Sequence, residues 1–104
     1  TLLASSAASD VYKRQVHDTL EAMLRQADGE CVIVTDVLGG SVNKEAVVFA
    51  AQPGVRVITG MNLTLVATLL TEEELPLDEL VKTGIAEAQA SIQQPEFVSE
   101  EEDF

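Results

Sequence analysis

Two short apolar runs dominate what this chain can fold into. The first is Cys31 to Val34, a continuous stretch rich in β-branched residues that ends in Thr35-Asp36. The second is Val55 to Thr59, which ends in Gly60-Met61-Asn62. The first run is unbroken and suits a strand covered on both faces, as in a parallel sheet, and the second reads as a further strand. Each is followed by a glycine-bearing turn and then by helical periodicity. After Gly39-Gly40-Ser41 the spacing predicts a helix from about Val42 to Ala51, burying Val42, Ala46, Phe49 and Ala50. Pro53-Gly54 breaks it. After Asn62, a candidate cap, a second helix runs through Leu63, Val66, Leu69 and Leu70.

The flanks extend the pattern. Val16, Leu20, Met23, Leu24 and Ala27 recur at helical spacing, with Gly29 as a stop. Pro76 opens a final helix with Leu77, Leu80, Val81, Ile85, Ala88 and Ile92 on one face, and Pro95 ends it. Helix, strand, helix, strand, helix, helix is an α/β order with right-handed parallel crossovers. A chain of 104 residues accommodates one domain. Two strands are too few for a doubly wound sheet, so strands are expected upstream.

The first fifteen residues read differently. Ser5 to Gln15, SSAASDVYKRQ, matches the in-frame translation of a sequencing adapter that carries a transposon mosaic end. Residues 1–15 are therefore read as a non-native leader and set outside the fold, residues 16–94 as the partial domain, and residues 95–104 as an acidic tail. The apolar part of the leader precedes Lys13 and Arg14, the reverse of a secretory signal.

Composition narrows the partners. Eighteen acidic against six basic side chains give a net charge of −12. That argues against a nucleic-acid or anionic-membrane partner held by a basic patch. No apolar run is long enough to span a membrane, and the cytoplasm is the expected compartment. One cysteine and one histidine leave no disulfide framework and few metal constellations, so neither metal nor cofactor is expected. Cys31 reads as a packed thiol, since no basic neighbour would activate it. Glu72-Glu73-Glu74 and Glu100-Glu101-Glu102 read as solvated runs, and Lys44 as a surface lysine.

In open α/β sheets function collects beyond the carboxyl ends of the strands. Two turns fall there, TDVLGGS and TGMN. Asp36 ends a buried strand, and a carboxylate there suits the orienting of an imidazole. Gly39 and Gly40 permit close approach of a ligand to the backbone. Ser41 stands where a helix cap would stand, ahead of amides that favour an anion. Taken alone, the turn has neither the P-loop lysine nor the GxGxxG spacing, and an ordinary capped turn explains it equally well.

The two blocks together, VIVTDVLGGSVNKEA and VRVITGMNLTLVATLL, resemble the IIA component of the mannose-type sugar phosphotransferase system. The resemblance covers Val16 to about Ile92. It implies a doubly wound α/β domain, usually a homodimer, with no cofactor. In that family a histidine at the end of the first strand takes a phosphoryl group from the phosphocarrier protein HPr and passes it to the IIB component during sugar uptake. The aspartate matching Asp36 orients that histidine. Gly39, Gly40 and Ser41 match residues beside the phosphoryl group, and Gly60, Met61 and Asn62 match the turn bordering the same pocket. The family often has proline after the serine, where this chain has Val42. On this reading the first strand-helix-strand, roughly 40 residues, is missing. His17 lies before or within a helix and is not the acceptor, so this chain is inactive and its parent is the phosphocarrier. The alternative is a non-catalytic regulatory module on the same fold. The truncation also predicts that the strand at Cys31 to Val34 has lost its neighbours on one side and exposes an edge.

Overall fold

The computed structural model describes residues 2–5, 13–27, 29–38 and 40–98. Three parallel strands form one sheet: β1 (Leu2–Ser5), β2 (Cys31–Thr35) and β3 (Val55–Thr59), in the order β1-β2-β3. Leu2 pairs with Val32 and Ser5 with Thr35. Cys31 pairs with Val55 and Thr35 with Thr59. Helix α1 (Lys13–Gln26) links β1 to β2, and α2 (Ser41–Val48) links β2 to β3 through a 3-10 turn at Phe49–Ala51. Helices α3 (Leu63–Thr71) and α4 (Leu77–Ser91) follow.

Strand parity sorts the core into two layers. Cys31, Ile33 and Val55 face α1 and α2, where Leu20, Ala46 and Phe49 meet them. Val32, Val34 and Ile58 face the other way, against Leu65 and Leu69 of α3 and Leu77, Leu80 and Ala88 of α4. All five residues of β2 are buried, which explains its unbroken apolar sequence. The doubly wound α/β architecture read from the sequence is the one observed.

Several details depart from the sequence reading. Leu2–Ser5 was set outside the fold, yet it forms a strand beside β2, and α1 begins three residues earlier than the leader boundary. β2 is consequently the central strand rather than an exposed edge. Residues 6–12 and 99–104, which include about half of the leader and most of the acidic tail, lie outside the described residues.

Ala50 is exposed. The α-helix ends at Val48, and the tighter 3-10 turn rotates Ala50 out while keeping Phe49 in. Met23 lies on the solvent side of α1, where Leu20 and Leu24 occupy the inward stripe. Ile92 is 76% exposed and Ile85 36%. The buried seam of α4 is Leu77, Leu80, Gly84 and Ala88, so both isoleucines fall beside it. Gly84 sits where α4 crosses α3, and a Cβ there would lie 3.2 Å from Leu65 Cδ1 and Leu69 Cδ2.

Candidate functional site at the carboxyl end of the sheet

β2 and β3 end level with each other, and their last residues are both threonines. The backbone carbonyl of Thr35 accepts the N–H of Gly60 at 2.8 Å and of Met61 at 3.1 Å. Two peptide donors from the β3–α3 turn therefore converge on the residue that precedes Asp36. This pair of bonds holds the TDVLGGS and TGMN turns against each other. Gly60 carries a φ of 105°, a left-handed conformation that favours glycine.

A side-chain cluster lies beneath the turns. Asn43 Oδ1 accepts from Thr35 Oγ1 at 2.8 Å and from Thr59 Oγ1 at 2.6 Å. The two hydroxyls are 3.2 Å apart. Thr35 and Asn43 are buried, so these bonds satisfy groups that would otherwise be costly. Asn43 is the third residue of α2. Its carboxamide thus fixes the first turn of α2 to the ends of both strands. Sequence reading missed all three residues. The available signal was the pair of threonines closing both strands in register, with an asparagine one turn into the next helix.

The residues expected at the site divide by what their side chains do. Asp36 is half-buried directly after β2. Gly40, rather than Ser41, is the N-cap of α2; its N–H donates to Val37 O at 3.2 Å, and it caps without a side-chain bond. That tight turn brings the chain into helical geometry one residue early, so Ser41 is the first helical residue. Gly39 lies outside the described residues. Met61 packs against the α3–α4 layer of the core. Asn62 Oδ1 accepts the N–H of Leu65 at 2.8 Å and caps α3, as expected from its position. The backbone of the second turn thus bonds to Thr35, while two of its side chains serve the fold.

His17 is on α1. Its Nδ1 lies 3.3 Å from Glu45 Oε2 and its ring centroid 5.0 Å from that of Phe49. It ties α1 to α2 and is about one-third exposed, with Arg14 and Asp18 beside it. Burial pushes the Cys31 thiol above its ordinary value of 9.0, which suits an inert core residue at the opposite end of the strand. Arg56 pairs with Asp78 at 2.9 Å and also donates to Val55 O, joining β3 to α4. Among the described residues, no three histidine, cysteine or acidic side chains converge as a metal site. No described helix is long and apolar enough to cross a membrane.

Three solved structures with the same architecture are described as sugar-phosphotransferase proteins. A protein from Klebsiella pneumoniae described as a phosphoenolpyruvate-dependent sugar phosphotransferase system permease superposes with a TM-score of 0.74 at 21% identity, covering 89% of this chain and 88% of that one. The phosphotransferase system component EIIA from Streptococcus agalactiae gives 0.72 at 20% identity, covering 79% and 66%. The IIA protein associated with the fucose utilization operon of Streptococcus pneumoniae gives 0.68 at 19% identity, covering 89% and 90%. No curated protein matches the chain. The family model described as "PTS system fructose IIA component" matches residues 5–85. With that match spanning most of its length, and with both motif turns joined at the carboxyl end of a parallel sheet, the chain belongs to the mannose/fructose-type IIA family of the sugar phosphotransferase system.

Proposed function

We propose that the intact parent of this chain is a phosphohistidine carrier of sugar uptake. It accepts a phosphoryl group from HPr on a histidine that follows the first strand, and donates it to the IIB component. The carrying observation is the pair of bonds from Gly60 and Met61 to the Thr35 carbonyl, which brings the two motif turns to one end of the sheet. Asp36 accepts a hydrogen bond from the imidazole and so sets which nitrogen attacks phosphorus. The amides of the Gly39-Gly40-Ser41 turn and of the α2 start stabilise the transferred oxygens, with Gly60, Met61 and Asn62 closing the pocket through their backbone.

The one histidine of the chain is tied to Glu45 between α1 and α2. The phosphoryl acceptor therefore belongs to the parent, and the 104 residues alone are inactive. Residues 1–15 are a leader of adapter origin, residues 16–94 the native part, and residues 95–104 its acidic tail. The parent is cytoplasmic and forms a homodimer. The test starts with the genomic sequence upstream of the Val16 codon, read free of adapter. A strand ending in histidine is expected there. The restored protein, given phosphoenolpyruvate and the phosphocarrier chain, should gain an acid-labile phosphoryl group, which an Asp36→Asn variant loses. Another residue at the histidine position would instead make the parent a regulatory module on this fold.

A further inference from the structure

Thr35 holds both turns of the site. Its carbonyl accepts the Gly60 and Met61 N–H groups of the second turn. Its hydroxyl donates to Asn43 Oδ1, in the first turn of the helix that follows Gly39-Gly40. Asp36 is the next residue along the chain. Asn43 also accepts from Thr59, the last residue of β3.

A buried carboxamide is a costly way to bridge two hydroxyls. Thr35 Oγ1 and Thr59 Oγ1 lie 3.2 Å apart, within reach of each other without a third group. Asn43 is 5% exposed, its oxygen serves both threonines, and its Nδ2 has no hydrogen-bond partner among the described residues. Buried donors are normally satisfied, and exceptions cluster where function needs them. What the carboxamide adds to the hydroxyl pair is a link to α2. Through it the ends of β2 and β3, and with them Asp36 and the Gly60-Met61 backbone, are held to the helix start that bears the anion-favouring amides.

Phosphoryl transfer depends on such positioning. The imidazole nitrogen forms a bond to phosphorus as the bond from phosphorus to the donor breaks, and the electron pair of the broken bond stays with the donor. The carboxylate that orients the imidazole and the amides that receive the phosphoryl oxygens must stand at a fixed separation. A misplacement of about 1 Å costs about a hundredfold in rate. We propose, on the phosphocarrier reading, that Asn43 is a positioning residue for this transfer. It acts through Thr35 and Thr59, fixing Asp36 relative to the first turn of α2.

Amide hydrogen exchange in the 104-residue chain reads this coupling without any chemistry. Asn43→Ala should speed exchange at Gly60 and Met61 about tenfold or more beyond its effect on Leu69 of α3, because the Thr35 carbonyl then loses its anchorage. Leu77 lines a cavity with Glu30 and Cys31 at the far end of β2, so Leu77→Ala weakens the fold from the opposite side and should change all three amides alike. Equal acceleration at all three in Asn43→Ala overturns the proposal.

In the restored parent, given phosphorylated HPr, Asn43→Ala should slow the transfer step about tenfold to a hundredfold and leave the KM for HPr within about twofold. Thr59→Ser, which keeps the hydroxyl, should retain more of the rate than Thr59→Val, and this pair carries the test if Asn43→Ala does not fold. Leu77→Ala should keep its rate per folded molecule, which separates positioning from loss of stability. A folded Asn43→Ala parent that transfers at the normal rate, or a Thr59→Val parent equal to Thr59→Ser, overturns the proposal. A parent that gains no phosphoryl group even with Asn43 in place removes the phosphocarrier reading and the transfer role with it. The two failures are distinct, since the first is seen only by comparing variants of a parent that works.

Discussion

Asn43 Oδ1 and Thr35 Oγ1 lie 2.8 Å apart in the buried interior, with Thr59 Oγ1 sharing the same acceptor at 2.6 Å. One carboxamide oxygen therefore ends two strands and begins a helix. Asn43→Leu removes the acceptor that both hydroxyls share and leaves the buried Thr35 hydroxyl only its longer 3.2 Å contact with Thr59 Oγ1. Stability should fall by about 1–3 kcal/mol, the cost of an unsatisfied buried polar group. Thr59→Val removes a donor instead and should cost about 1 kcal/mol. Urea unfolding followed by circular dichroism checks both. The double variant should lose less than the sum, because the residues form one network.

Asn62 tests the second turn. Its side chain accepts from Leu65 N at 2.8 Å, so Asn62→Ala should destabilise the protein by about 1 kcal/mol. Asn62→Asp keeps an acceptor at the positive end of α3 and should retain most of that stability. Equal unfolding midpoints for Asn62→Ala and the parent chain would show that the cap contributes nothing.

Gly84 sets how closely α4 approaches α3. A Cβ at this position meets the tips of Leu65 and Leu69 at 3.2 Å. Gly84→Ala gains about 1 kcal/mol of helix propensity and loses a comparable amount in displaced leucines, so its midpoint should barely move. Gly84→Leu must separate the helices and should cost roughly 1–3 kcal/mol by overpacking. The measurement is the thermal midpoint together with the dispersion of the Leu65 and Leu69 methyl resonances.

Cys31 gives a pH dependence of known sign. Burial raises the thiol's value in the folded state above the 9.0 of the exposed group. The unfolded chain therefore loses this proton first. The stability linked to Cys31 is present in full below pH 9 and is lost as pH rises through the folded value. Urea midpoints of the parent chain should drop above about pH 9 more steeply than those of Cys31→Ala. The thiol should also react slowly with a maleimide reagent until the protein unfolds.

Local sequence determined the elements and their order. The β-branched runs at Cys31 and Val55 specify strands, the prolines and glycines between them specify breaks, and the periodicities of α1 to α4 follow from single stretches of chain. Asn62 was legible as a cap because capping is a contact across three residues. The two glycine-bearing turns were legible as turns, although the cap of α2 falls on Gly40 rather than Ser41. Tertiary structure decided what depends on distant residues. The convergence of Gly60 and Met61 on the Thr35 carbonyl joins positions about 25 residues apart, and no local pattern announces it. Asn43 read as an ordinary polar residue on a helix until parity and register set it under both threonines. Leu2–Ser5 lies in the stretch that the adapter match sets outside the fold, yet it pairs in parallel with Val32–Thr35 of β2. Ile85 and Ile92 obey the helical period but lie outside the seam, since Gly84 draws α4 onto α3 along a different line. A periodicity identifies that a helix has an apolar face; the width of the neighbour it meets determines how much of that face is covered.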